Sequence, residues 1–129
     1  MSIEGRSTDG LLGLTRLQRA TRVGFTALTW AFLNEEAFRL EVLGSLVLVP
    51  LGIWLGQGGA EKALLAAAVI QVMIVEMLNT GIEVVVDRIS TERHALSGLA
   101  KDIGSAAVMI SLLLAATVWG CVLVPRFFG

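Results

Sequence analysis

The sequence predicts an all-α membrane protein: one amphipathic helix lying in the membrane interface, then three transmembrane helices. Three observations carry that reading. Of 129 residues, 55% are hydrophobic and 16% charged, with a mean hydropathy of +0.78, a balance suited to lipid rather than to a small soluble domain. Three long apolar runs follow a helix-length segment whose arginines gather on one side. And one of those runs holds a stripe of polar side chains, Glu76, Asn79, Glu83 and Asp87.

The elements follow in order. Glu4, Asp9 and several glycines interrupt any apolar core of a secretory signal, so insertion is expected through the chain's own helices. A surface helix is expected over about 14–33, with Leu14, Leu17, Phe25, Leu28 and Phe32 on one half and Arg16, Arg19, Arg22, Thr26 and Thr29 on the other. Such a helix lies flat, arginines toward anionic headgroups. Asn34 is an expected N-cap for the next helix, with Glu35 and Glu36 in its first turn and Pro50 as an expected kink. That first span covers about 36–56, and a glycine-rich turn separates it from the second, about 63–87. A polar connection leads to the third span, about 103–124, and Pro125 and Gly129 bracket the tail. All of 1–129 reads as a single membrane domain. Trp54 and Trp119 fall near one end of their spans, where interfacial anchoring is the default. Gln71, polar at mid-span, is expected to hydrogen-bond between helices.

Charge orients the chain. Arg6, Arg16, Arg19, Arg22 and Arg39 precede or open the first span, and Arg88, Arg93 and Lys101 lie between the second and third. Only Lys62 and Arg126 of the 10 basic residues fall on the other side. The N-terminus and second loop are therefore expected in the cytoplasm. The polar stripe then sits at the cytoplasmic end of the second span, level with Glu35, Glu36, Arg39 and Glu41. A net charge of -1 offers no basic field for nucleic acid, and the single Cys121 allows no intrachain disulfide.

Spacings of three, four and four place the stripe within roughly 80° of arc on one helix face. A carboxylate in hydrocarbon costs about 3 kcal/mol on insertion scales, so a chain that keeps several on one face uses them. The sequence has no GxxxxGK[ST] loop, GxGxxG, HExxH, CxxC or GxSxG, which leaves soluble nucleotide folds and common hydrolases unsupported. Carboxylates suit Mg²⁺, which takes one or two of them plus phosphate oxygens. A desolvated carboxylate suits a general base, and Glu76 is the deepest of the stripe. Lys101 and Arg93 could neutralise phosphate. The residues alone leave three readings open: phosphoryl transfer to a lipid hydroxyl, a proton or cation path, or polar helix packing.

The run Val75-Glu76-Met77-Leu78-Asn79-Thr80-Gly81-Ile82-Glu83-Val84-Val85-Val86-Asp87-Arg88 resembles the signature of the bacterial integral-membrane diacylglycerol kinases. Asn34-Glu35-Glu36-Ala37-Phe38-Arg39-Leu40-Glu41 resembles the segment opening that family's first span. The stretch from Glu92-Arg93-His94 through Lys101-Asp102 to Ser105 and Val108 resembles its cytoplasmic loop and third-span start, and the likeness covers about 15–124. The resemblance implies a homotrimer in the bacterial inner membrane that uses MgATP to phosphorylate diacylglycerol to phosphatidic acid for phospholipid recycling. It implies Glu76 as general base, Glu35 and Glu83 as metal ligands, and Asn79 in support. Glu92, Arg93, His94, Lys101 and Asp102 would contact the nucleotide, and Arg16, Arg39 and Ser105 the lipid. The surface helix would admit lipid from the cytoplasmic leaflet.

The chain departs from the family in four places. Gly81 stands where a common variant has Ala, and Arg19 where the best-known members carry Lys. Leu40 and Gly24 replace polar residues of the lipid pocket, which opens room for another lipid alcohol such as undecaprenol.

Overall fold

The structure is a computed structural model that describes residues 10–89 and 94–129. Every element among those residues is an α-helix: α1 (Gly10–Asn34), α2 (Glu36–Leu55), α3 (Gly58–Ile89) and α4 (Ala95–Phe128). They fall into two compact units, one ending at Glu35 and one comprising Glu36–Gly129.

In the first unit, α1 carries Arg16, Arg19 and Arg22 on exposed positions. Its polar β-branched residues satisfy themselves along the helix. Thr21, Thr26 and Thr29 donate to the carbonyls of Leu17, Arg22 and Phe25 at 2.8, 3.0 and 2.9 Å. Each hydroxyl thus finds an acceptor within its own helix. Asn34 does not cap the helix that follows. It is the last residue of α1, and its Nδ2 donates back to Trp30 O at 2.8 Å. Its amide thus bonds back into the last turn of α1 rather than to a vacant N–H at the start of α2.

In the second unit α3 is the central helix, packed against both α2 and α4. All three are long and apolar enough to cross a membrane. At 1.5 Å per residue the 20 residues of α2 span about 30 Å, the thickness of the hydrocarbon layer. The 32 residues of α3 and 34 of α4 reach roughly 50 Å, so their ends project beyond it. Burial is inverted relative to a water-soluble protein. Leu46 and Leu113 are 68% and 66% exposed, whereas Glu76, Asn79 and Thr80 are 6%, 7% and 5% exposed. Apolar side chains outward and polar ones inward is the arrangement lipid demands.

One stripe of α3 faces its neighbours and changes character along its length. Leu65, Ala68, Val69 and Val72 form its apolar half, and Glu76, Asn79 and Thr80 continue the same face as a polar half. Gln71 lies at the change-over, its Nε2 donating to Ser111 O of α4 at 2.8 Å. That bond ties α3 to α4 at mid-membrane.

The end of the bundle opposite the carboxylates is held by its own basic residues. Lys62 donates to Ile53 O at 2.6 Å, and Arg126 bonds both Leu55 O and the Glu61 carboxylate. Glu61 also accepts Gln57 N–H at 3.1 Å. The last carbonyls of α2 and a freed amide at the start of α3 are thereby satisfied together. This capping starts α3 at Gly58, earlier than the expected 63, with Gly58 taking the positive φ of 81° that the tight turn needs. Helix α2 runs unbroken through Pro50, and α4 runs through Pro125 to Phe128.

Trp54 is 78% exposed, as an interfacial anchor would be. Trp119 is instead turned into the bundle: its Nε1 donates to Leu65 O at 3.0 Å. Gly52 makes room for it. A Cβ at Gly52 would lie 2.9 Å from Leu65 Cβ and 3.3 Å from Trp119 Cζ2. Gly52→Val is therefore expected to destabilise the helix bundle by about 1–3 kcal/mol through overpacking. Thermal unfolding in detergent checks it, and an unchanged midpoint would show that the three helices do not meet there.

Candidate active site

The stripe on α3 grades from buried to exposed. Glu76 and Asn79 are buried, Glu83 is half-buried, and Asp87 is exposed. Over these 11 helical steps the face advances about 16 Å along the axis, so one helix offers both a dry carboxylate and wet ones.

Neighbouring helices complete the surroundings. Glu41 of α2 is close enough to interact electrostatically with Glu76, and its Oε2 is buried without a hydrogen-bond partner among the described residues. Glu41 also lines an apolar groove of about 280 Å³ formed with Leu40, Ser45, Val69, Val72 and Leu112. The groove therefore brings hydrocarbon surface up to an acidic pair. One turn toward the exposed end, Asn79 Nδ2 faces Glu83 Oε1 at 3.4 Å, a long hydrogen bond. Asn79 Oδ1 is buried and has no partner among the described residues. Such an unpaired oxygen is costly in a folded chain. At the exposed end, Lys101 Nζ of α4 pairs with Asp87 Oδ1 at 2.6 Å. The Asp87 side chain is exposed and that of Lys101 partly so, so the pair adds little to stability and is open to exchange for another anion.

The polar connection between α3 and α4 is shorter than the sequence suggests, because α4 begins at Ala95. His94 explains the early start. In an extended conformation (φ -114°, ψ 138°), it caps the helix by accepting Leu96 N–H on Nδ1 at 3.1 Å, and its carbonyl accepts Gly98 N–H at 3.0 Å. Lys101, Asp102 and Ser105 therefore sit on α4, Lys101 half-buried and the other two exposed. Arg39 is half-buried on α2. Glu92 and Arg93 lie outside the described residues. Arg16 and Glu35 belong to the first unit.

The structure thus brings together Glu76, Asn79, Glu83, Lys101 and, from outside the expected set, Glu41 and Gly104. Gly104 is buried against Asn79, a contact that no helical periodicity reveals because it depends on the register of α4 on α3. The Glu83 carboxylate suits a hard cation such as Mg²⁺, which leaves most of its shell to phosphate and water, whereas Asn79 turns its amide nitrogen, not its oxygen, toward that carboxylate. Among the described residues there is no cluster of three His, Cys, Asp or Glu side chains placed around one point. A cation here would therefore depend on oxygen ligands from its substrate.

These features define a class: a membrane-spanning helical bundle with an exposed acidic mouth above a buried carboxylate. The comparisons identify the family. The description "Prokaryotic diacylglycerol kinase" matches residues 7–123. A diacylglycerol kinase of Haemophilus influenzae is 48% identical over 111 residues, covering 86% of this chain and 94% of its own. One from Escherichia coli is 45% identical over 117 residues, covering 91% and 95%, and one from Pseudomonas aeruginosa 42% over 114, covering 88% and 93%. The chain belongs to the prokaryotic diacylglycerol kinase family and is an enzyme of that family.

Proposed function

We propose that this protein transfers the γ-phosphoryl group of MgATP to the primary hydroxyl of diacylglycerol, giving phosphatidic acid and ADP. The site would face the cytoplasm from the bacterial inner membrane, with the N-terminus on the same side, and the protein would act there in phospholipid recycling. The burial gradient from Glu76 to Asp87 on one face of α3 is the observation that supports it most directly. A lipid hydroxyl and a nucleotide must meet at the boundary of hydrocarbon and water, and this face crosses that boundary.

In this reading Glu76 accepts the hydroxyl proton as the lipid oxygen bonds to the γ-phosphorus and the bond to the β–γ bridging oxygen breaks. The groove beside Glu41 takes an acyl chain. Glu83 and Glu35 would hold the Mg²⁺, with Asn79 orienting Glu83. The ion would supply charge neutralisation on the phosphates. Lys101 exchanges Asp87 for a phosphate oxygen, and Asp102, Glu92, Arg93 and the remaining ring nitrogen of His94 contact the nucleotide. Arg16, Arg39 and Ser105 orient the lipid headgroup. Three chains assemble into a homotrimer that shields the exposed flanks of α3.

Leu40 on the groove favours a second substrate, the polyisoprenoid alcohol undecaprenol, because it adds an apolar side chain to the groove wall. The test is phosphate transfer from ATP by purified protein in mixed micelles, with diacylglycerol and undecaprenol in parallel and Mg²⁺ present or chelated. Mg²⁺-dependent phosphatidic acid is the expected product. Undecaprenyl phosphate alone would keep the mechanism and change the lipid. Folded protein that phosphorylates neither lipid would return the stripe to an ion path or to helix packing.

A further inference from the structure

Helix α4 passes Asn79 at Gly104. A Cβ built on Gly104 would overlap Asn79 Oδ1, and it would lie 3.1 Å from Asn79 Cγ and 3.8 Å from Asn79 Cβ. The contact is specific to this register of α4, because a Cβ at Gly98 or Gly120 of the same helix meets nothing within 4 Å. The Asn79 amide therefore occupies the volume that any other residue at 104 would fill. Its oxygen lies against Gly104, and its nitrogen faces Glu83 at 3.4 Å. Asn79 is 7% exposed, so the displaced amide has no open solvent to move into. The neighbouring Thr80 Oγ1 is also buried without a partner among the described residues, so this polar half is held by packing rather than by saturated hydrogen bonds.

We infer that Gly104 is a positioning residue for phosphoryl transfer: its missing side chain creates the slot that turns the Asn79 amide toward Glu83. The inference rests on the kinase reading above. It assigns no contact between Gly104 and substrate. A methyl group at 104 would rotate or shift the amide, and the carboxylate of Glu83 would lose the group that orients it.

The experiment compares Gly104→Ala with Gly120→Ala, each in the wild-type and Asn79→Ser backgrounds, reading turnover and thermal unfolding in detergent. Helix propensity alone favours Ala over Gly at both sites and predicts a raised unfolding midpoint for both. The slot predicts opposite signs, with Gly120→Ala unchanged or stabilised and Gly104→Ala destabilised. Gly104→Ala should lower kcat by about tenfold to a hundredfold, the cost of a small misplacement near the chemistry. Its KM for lipid should stay within about twofold, since the lipid pocket is untouched. In the Asn79→Ser background, where the side chain is shorter, adding Gly104→Ala should cost no further activity and no further stability. If Gly104→Ala does not fold on its own, the double variant decides: activity equal to Asn79→Ser supports the slot, and a further loss overturns it. Equal activity of Gly104→Ala and wild type overturns the inference alone. An inactive wild type overturns the kinase reading and this inference with it.

Discussion

Glu76→Gln is expected to lower kcat by about a thousandfold or more, the scale of a lost general base. The folded protein should persist. Gln keeps the shape of Glu, and the substitution removes a like charge from beside Glu41 across the α2–α3 contact. Stability should therefore hold or rise while turnover collapses, a combination that separates chemistry from packing. Turnover in mixed micelles and thermal unfolding of the same preparation check it. Near-normal turnover by the Gln variant would remove Glu76 as the base. A parallel loss of folded protein would make Glu76 a packing residue instead.

The second large effect is expected at Lys101. Lys101→Ala should reduce kcat/KM for ATP by about tenfold to a hundredfold, the range of one charge-assisted hydrogen bond to phosphate. The KM for lipid should change little. Asp87→Asn is the control, because in the free chain Asp87 is the partner of Lys101. If the pair serves only to join α3 to α4, the two substitutions should cost the same. If Lys101 serves the nucleotide, Asp87→Asn should be mild, since it frees the lysine rather than deleting it. Equal losses would reduce Lys101 to a strut, and an ion path would be indifferent to both.

Much of this architecture was legible in the residues. The three spans are carried by average hydropathy, which any window of about 20 residues reports. The stripe of Glu76, Asn79, Glu83 and Asp87 is carried by helical spacing, and its grading from buried to exposed follows from its place at one end of a span. Helix ends were less legible because they depend on single hydrogen bonds. Asn34 has the composition of an N-cap, yet its amide bonds Trp30 O and finishes α1. His94 is an uncommon cap, so the helical character of Ala95 to Asp102 is hidden behind a polar composition. Trp119 resembles an interfacial anchor until the register of α4 on α3 directs its indole to Leu65 O. Gly104 has no signature by itself. Its meaning is a distance to a side chain 25 positions earlier, set by how two helices slide past each other.

The contact of Arg126 with Leu55 O and Glu61 carries a consequence for biogenesis. Arg126 lies near the end of α4, and its partners lie at the junction of α2 and α3. The contact can form only once α4 has returned to the end of the bundle that carries Glu61. A chain whose third span stalls, or inserts the wrong way round, leaves the arginine and Glu61 on opposite faces of the membrane. Each is then a lone charge near hydrocarbon, and such an intermediate is less stable than the finished bundle. The contact thereby ties the stability of the finished bundle to the orientation of α4.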